Sequence, residues 1–359
     1  MATSFVQKAN LFAYSGTDCL RNDYYHNDCT LCMDVCPEGA FHIVRNKLTL
    51  FENECIECAA CIGGCPSEAL SIETFDPNAF STLYKEQEEP LLSCKKNTPC
   101  LGVFDAHHLL TMTLRADKAP VCDMAHCEGC AINKEEKVET RIRESIATAN
   151  RFLEDVGLEK RIETVEEKPE ENARRALFRK AFEKAKETAE GTPEEESITA
   201  QYHKRQDTDM PLKHVLLKNS IKEKIDSFET TSFEEASALF FNKKINFDAC
   251  TNCGDCIQFC PTTALFASSD KQGIYFMQGK CIGCGICEHI CKSDAITAEP
   301  SFDLVSVAFD RAEQLVHYEM VMCHECRCPY PYKGGDPICD RCKDFSQDFG
   351  NMFTLAKDL

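Results

Sequence analysis

The residues able to do chemistry in this chain are its cysteines, 26 of them in 359 residues, most only two or three positions apart. Three runs share one spacing: Cys55-x2-Cys58-x2-Cys61-x3-Cys65, Cys250-x2-Cys253-x2-Cys256-x3-Cys260 and Cys281-x2-Cys284-x2-Cys287-x3-Cys291. A shorter run reads Cys29-x2-Cys32-x3-Cys36. Thiols this close are badly placed to bridge one another and well placed to converge on a metal centre. Three neighbouring thiolates can wrap one face of a four-iron cubane, with the fourth ligand arriving from a distant cysteine.

Each run ends on the same short unit: Cys36-Pro-Glu-Gly-Ala-Phe, Cys65-Pro-Ser-Glu-Ala-Leu, Cys260-Pro-Thr-Thr-Ala-Leu and Cys291-Lys-Ser-Asp-Ala-Ile. Internal repetition of this kind organises the whole chain. The β-rich stretches Phe41–Val44, Leu70–Ile72 and Ile274–Met277 follow, which predicts small α+β modules of cysteine loop, short helix and hairpin strand. On these residues both paired blocks resemble bacterial two-cluster ferredoxins. The resemblance implies one 4Fe–4S cluster on Cys55, Cys58, Cys61 and Cys36, one on Cys250, Cys253, Cys256 and Cys291, and one on Cys281, Cys284, Cys287 and Cys260. Gly63, Gly64, Gly283 and Gly285 are expected to let backbone N–H groups approach the inorganic sulfurs. The proline after the fourth ligand turns the chain away; Lys292 replaces it in the last copy and leaves that turn in question.

The first run departs from the pattern, because His26 stands where its opening cysteine belongs. Cys29, Cys32 and Cys65 then need a partner. Cys19 is preferred, since thiolate is the standard ligand of such a centre. His26 has the right register and remains the alternative, as does a labile three-iron cluster with neither.

Two further groups fit neither run. Cys94, Cys100, Cys122, Cys127 and Cys130 fall in a segment that reads βαβαβ: Leu91-Leu92, a helix over about 105–115, Val121, a helix over about 135–156 and a strand at 161–165. Parallel strands in that order place sites beyond their carboxyl ends. The segment weakly resembles the small iron–sulfur subunit that links a hydrogenase to heterodisulfide reductase, which implies a further cluster, 2Fe–2S or 4Fe–4S; zinc and purely structural thiols stay open. His107 and His108 read as packing or surface residues. Cys323-x2-Cys326 and Cys339-x2-Cys342, separated by a Gly-Gly-Asp-Pro loop, resemble a zinc ribbon with Cys328 as a spare thiol, and a fifth ferredoxin-type cluster is the alternative.

The fold class expected is therefore α+β. The order is a ferredoxin-like module over 1–84, a small α/β domain over 85–165, a charged helical connector over 166–242, a second module over 243–300 and a zinc-ribbon-like end over 301–359. The connector, including a helix at 172–189, reads as solvated or as a partner-docking surface. A net charge of −19 and the lack of a basic stripe argue against nucleic acid and suit docking on basic patches of redox proteins. No leader-like start or apolar span is evident, and thiolate ligands favour a cytoplasmic location. Neither a dinucleotide loop nor a P-loop is present. The chain is expected to relay single electrons between redox partner proteins, as a subunit or accessory of a formate dehydrogenase- or hydrogenase-type complex. The alternative is an enzyme that reduces a disulfide or sulfur substrate at Cys94–Cys130.

Overall fold

The computed structural model describes residues 11–24, 27–87, 89–167 and 210–349. His26 and the expected helix at 172–189 lie outside them. Chain contacts gather into two compact units, Met1–Thr231 and Ser232–Leu359.

In the first unit Phe12–Tyr14 pairs antiparallel with Leu70–Ile72, and Phe41–Val44 with Lys47–Leu50. The hairpin turns on Arg45 and Asn46, both left-handed, as a two-residue turn that matches strand twist requires. Asn22, on the short helix Leu20–Asp23, fastens that helix to the hairpin. Its amide donates to the Leu48 carbonyl at 3.0 Å and its carbonyl accepts from Leu48 N–H at 2.6 Å.

Beyond Pro90 the chain forms a three-stranded parallel sheet of Leu91–Leu92, Val121–Asp123 and Glu163–Val165, with Val121–Asp123 central. The helices Ala106–Arg115 and Lys137–Asp155 make the crossovers. The first starts on a capping box in which Asp105 accepts from His107 and His108 N–H and the His108 ring accepts from Asp105 N–H, satisfying donors that a helix start leaves open. The second buries Val138, Ile142, Ile146, Ala149 and Leu153 on one face.

The expectation of a solvated connector fails where that stretch is described. Leu212–Lys224 buries Leu212, Leu216, Leu217 and Ile221, and also Lys213 and His214. Lys213 Nζ donates to the carbonyls of Gly63 at 3.0 Å and Cys65 at 2.7 Å, and to Asp105 Oδ2 at 2.6 Å. Composition misleads here because a buried lysine with three good acceptors has the same letter as a solvated one.

In the second unit the sheet order is Leu265–Ala267, Gly273–Met277 and Ala312–His317, antiparallel throughout. Ile296–Glu299 pairs with Asn242–Ile245. Ala264, Leu265, Ile274, Phe276, Ile296 and Tyr318 form one buried cluster against which several cysteines pack. Glu319–Met322 and Pro329–Tyr332 make a terminal hairpin before the helix Asp340–Phe349. Among the described residues no helix is long and apolar enough to cross a membrane.

Candidate metal centres

The repeated sequence unit is also a repeated backbone. After Cys36, Cys65, Cys260 and Cys291 the third residue is left-handed in every copy: Gly39, Glu68, Thr263 and Asp294, with φ of 65°, 54°, 53° and 48°. Only one copy uses glycine, so the turn carries backbone strain in the other three. The following alanine is buried each time. In three copies its N–H donates to the cysteine sulfur: Ala40 to Cys36 at 3.3 Å, Ala69 to Cys65 at 3.2 Å and Ala295 to Cys291 at 3.2 Å. Buried small residues are needed there because the backbone itself points at sulfur. The Lys292 copy keeps both features, so proline is not what makes the turn.

Glu57 and Ala59, Asn252 and Gly254, and Gly283 and Gly285 form a second recurring pair of left-handed residues around the middle cysteine of the three full runs. The incomplete run has no such pair; Thr30 sits at φ −126° and leads directly into the helix Leu31–Val35. Cys19 arrives instead from the helix Leu20–Asp23. Cys19, Cys29, Cys32 and Cys65 line one cavity with Tyr14, Leu48 and Leu70. Cys250, Cys253, Cys256 and Cys291 line its counterpart with Ile245, Ile274 and Ile296. The two spaces measure ≈ 350 and ≈ 340 Å³, open mouths included. A tyrosine stands beside the leading cysteine in each: Tyr14, its hydroxyl donating to the Leu48 carbonyl at 3.0 Å, beside Cys19, and Tyr318, its hydroxyl donating to the Phe247 carbonyl at 3.4 Å, beside Cys250. Cys19 thus stands where Cys250 stands.

The other two sets are built across their modules. Cys58, Cys36 and Cys55 all act electrostatically on Cys61, and so does Cys32 of the neighbouring set. Cys260 acts on Cys284, and Cys281 and Cys284 act on Cys287. Burial pushes Cys32, Cys256 and Cys281 up to about 12, and adjacent thiolate charge adds to the rise for each. Without a cation these thiols hold their protons at neutral pH; loading iron displaces them. Buried Lys243 lies beside Cys281 and Cys287, its Nζ donating to Glu288 Oε1 at 2.7 Å.

Gly63 and Gly64 stand against other parts of the protein on the side where a Cβ would project. A Cβ on Gly63 would lie 2.5 Å from the Phe104 backbone and 2.7 Å from the Gly102 carbonyl, and one on Gly64 would strike the Arg141 guanidinium. These glycines admit neighbouring parts of the protein. No sequence signal distinguishes that use from approach to a cofactor.

Of the five cysteines between 94 and 130, four lie near enough for their charges to act on one another. Cys94 and Cys127 act on Cys100, and Cys94 and Cys130 act on Cys127. Cys122 stands apart, 1% exposed in the middle strand and pushed up to about 12 by burial alone. The extra thiol that a disulfide-reducing site would call on is thus a core residue. His108 is buried against Asp105, its Nδ1 2.8 Å from Oδ1, and His107 lies 3.3 Å from the same carboxylate. Against the burial that would raise it, Lys213 and the two histidines hold the Asp105 carboxyl well below the usual range.

Cys323, Cys326, Cys339 and Cys342 bring their sulfurs within 4.8 Å of one another, the single such set among the described residues. Four thiolates around one tetrahedral zinc, at about 2.3 Å each, stand about 3.8 Å apart. Backbone N–H donation, chiefly from Cys328, draws the Cys326 thiol down to about 6, and Cys328 itself is exposed.

Thiol sets carried on paired, repeated turns define an iron–sulfur protein with ferredoxin-like 4Fe–4S modules. Residues 27–70 and 242–292 each match a family described as a 4Fe-4S dicluster domain. The chain is 41% identical over 54 residues to the arsenate respiratory reductase iron-sulfur subunit ArrB of Shewanella sp. (strain ANA-3), covering 15% of this chain and 23% of that one. It is 31% identical over 58 residues to a ferredoxin of Streptomyces griseus, 16% of this chain and 55% of that one. It is also 34% identical over 68 residues to the archaeal-type glutamate synthase [NADPH] of Thermotoga maritima, 19% of this chain and 13% of that one. The matches therefore cover between 13% and 55% of these relatives, under two thirds in each case. Iron–sulfur electron transfer is the function that the two dicluster domains support.

Proposed function

We propose that this chain is a multi-cluster electron carrier with four 4Fe–4S cubanes. They are held by Cys19, Cys29, Cys32 and Cys65; by Cys36, Cys55, Cys58 and Cys61; by Cys250, Cys253, Cys256 and Cys291; and by Cys260, Cys281, Cys284 and Cys287. The carrying observation is the equivalence of Cys19 and Cys250, which gives the irregular first run a full thiolate set. Single electrons pass between a low-potential donor protein and an acceptor protein. A role as subunit or accessory of a larger oxidoreductase complex is supported by the likeness to a reductase's iron–sulfur subunit; a cytoplasmic complex of formate dehydrogenase or hydrogenase type is the form proposed. Cys323, Cys326, Cys339 and Cys342 hold a structural zinc, supported by their close spacing.

Iron, acid-labile sulfide and zinc per chain after strictly anaerobic purification test this reading. At least about sixteen irons with one zinc are expected. Iron well below that, with zinc filling the difference, overturns it.

A further inference from the structure

We infer that Lys243 makes the two clusters of the second unit unequal, so that an electron entering that unit comes to rest on the Cys260–Cys281–Cys284–Cys287 cluster. The inference rests on the carrier reading above and gives it a direction within one unit.

The repeat itself supplies the comparison. Leu48, Lys243 and Ile274 each stand seven positions before the cysteine that opens a full run, Cys55, Cys250 and Cys281 in turn. They lie on the short strands Lys47–Leu50, Asn242–Ile245 and Gly273–Met277, and all three are buried. Leu48 lines the cavity of Cys19, Cys29, Cys32 and Cys65. Ile274 lines that of Cys250, Cys253, Cys256 and Cys291. Lys243 lies beside Cys281 and Cys287. One register position thus walls two thiol sets with an aliphatic side chain and a third with an ammonium group.

A buried lysine calls for a reason, and packing alone does not give one, because leucine and isoleucine serve in the other copies. The strand is held against the ligand loop: a Cβ on Gly283 would come within 2.4 Å of the Phe241 ring, two positions before Lys243. Lys243 Nζ donates to Glu288 Oε1 at 2.7 Å, yet the pair does not cancel. The lysine side chain is 6% exposed and the glutamate 31%, so water screens the carboxylate more than the ammonium. Against the burial that raises them, the Lys243 charge draws the Cys281, Cys284 and Cys287 thiols down. Cys256 of the neighbouring set is raised by burial and then by the charges of Cys250, Cys253 and Cys291.

A charge that favours thiolate also favours the added electron, since reduction makes a cluster more negative by one. Cys253 is exposed, and water at that one thiolate also eases reduction of its cluster. A full charge acting on three ligands from inside the protein is the larger effect, because solvent screens it little. The step takes one electron from the Cys250–Cys253–Cys256–Cys291 cluster, which is oxidised, and reduces the Cys281 cluster; no bond forms or breaks.

EPR-monitored redox titration of the full chain, purified anaerobically, tests the inference. Cys253→Ser and Cys284→Ser mark the two clusters by the signal each variant alters. In the wild type the Cys284 signal should appear at the higher potential. Lys243→Met should move the one-electron equilibrium about tenfold toward the Cys253 cluster. Glu288→Gln, which removes the opposing charge, should move it the other way, and Lys243→Arg should leave it in place. A wild-type order with the Cys253 signal higher, no shift in Lys243→Met, an equal shift in Lys243→Arg, or a shift of the same sign in Glu288→Gln overturns the inference. Where a serine variant does not fold, opposed shifts of one signal in Lys243→Met and Glu288→Gln decide. Failure of the carrier reading is distinct, since the wild-type chain would then lack reducible cluster signals altogether.

Discussion

In the second unit Cys250 opens its run in register, and Asn252 and Gly254 bend the backbone left-handed around Cys253. In the first unit the equivalent thiol, Cys19, comes from a separate helix held to a hairpin by Asn22. The outer surroundings differ as well. The Cys65 loop of the first unit is clamped by Lys213 and abuts the parallel-sheet segment through Gly63. The Cys281 set of the second unit has the buried Lys243, paired with a half-buried Glu288, beside it instead. Matching thiol arrangements are thus reached by two routes, and what varies is the matrix that would set potential and connectivity.

The sharpest way to break the equivalence is Cys19→Ala. It should remove up to about four irons or leave a three-iron cluster visible by EPR in the oxidised protein, with the second unit unaffected. A variant that retains every iron would return the ligand role to His26.

Gly63→Ala probes the contact that only the first unit has. Forcing a methyl group against the Phe104 backbone should cost about 1–3 kcal/mol and lower the thermal midpoint by several degrees. Gly254→Ala, with nothing within 4 Å of its Cβ, should cost about 1–2 kcal/mol through its left-handed backbone alone. Equal losses in iron-reduction rate for the two variants would deny Gly63 any special place.

Lys243→Met acts on the second unit alone. Reduction adds negative charge to a cluster, so removing a cation beside Cys281 and Cys287 makes reduction harder. One potential should fall by an amount on the order of tens of millivolts, measured by EPR-monitored redox titration, while the others stay put. Smallest of all is Lys292→Pro. The Cys291 turn already matches the three proline copies, so introducing proline should alter the unfolding free energy, read by denaturant titration, by no more than about 1 kcal/mol.

The 4Fe–4S dicluster modules were legible because three thiols able to wrap one face of a cubane must be closely spaced in sequence. The parallel-sheet segment was legible from the apolar stripe of Lys137–Asp155 and the short strands around it. Other features left no local trace. Glu68, Thr263 and Asp294 adopt a conformation usually advertised by glycine. Lys213 reaches a loop 150 positions away in sequence, from a stretch whose charge reads as solvated. Cys122 and Cys127 differ only in that a strand's interior buries the first and the loop beyond its end presents the second. Gly63 was read as facing a cofactor because a glycine beside a ligand looks the same whichever neighbour it admits.

The Lys213 latch gives cluster damage a wider reach. The carbonyls it grips belong to Gly63 and to Cys65, in the loop that carries a proposed cluster ligand. Slackening there would unfasten the helix Leu212–Lys224 and bare its leucine face to proteases. A chemical injury at one thiolate would then become a conformational flag, by which a cell could tell an emptied carrier from a working one.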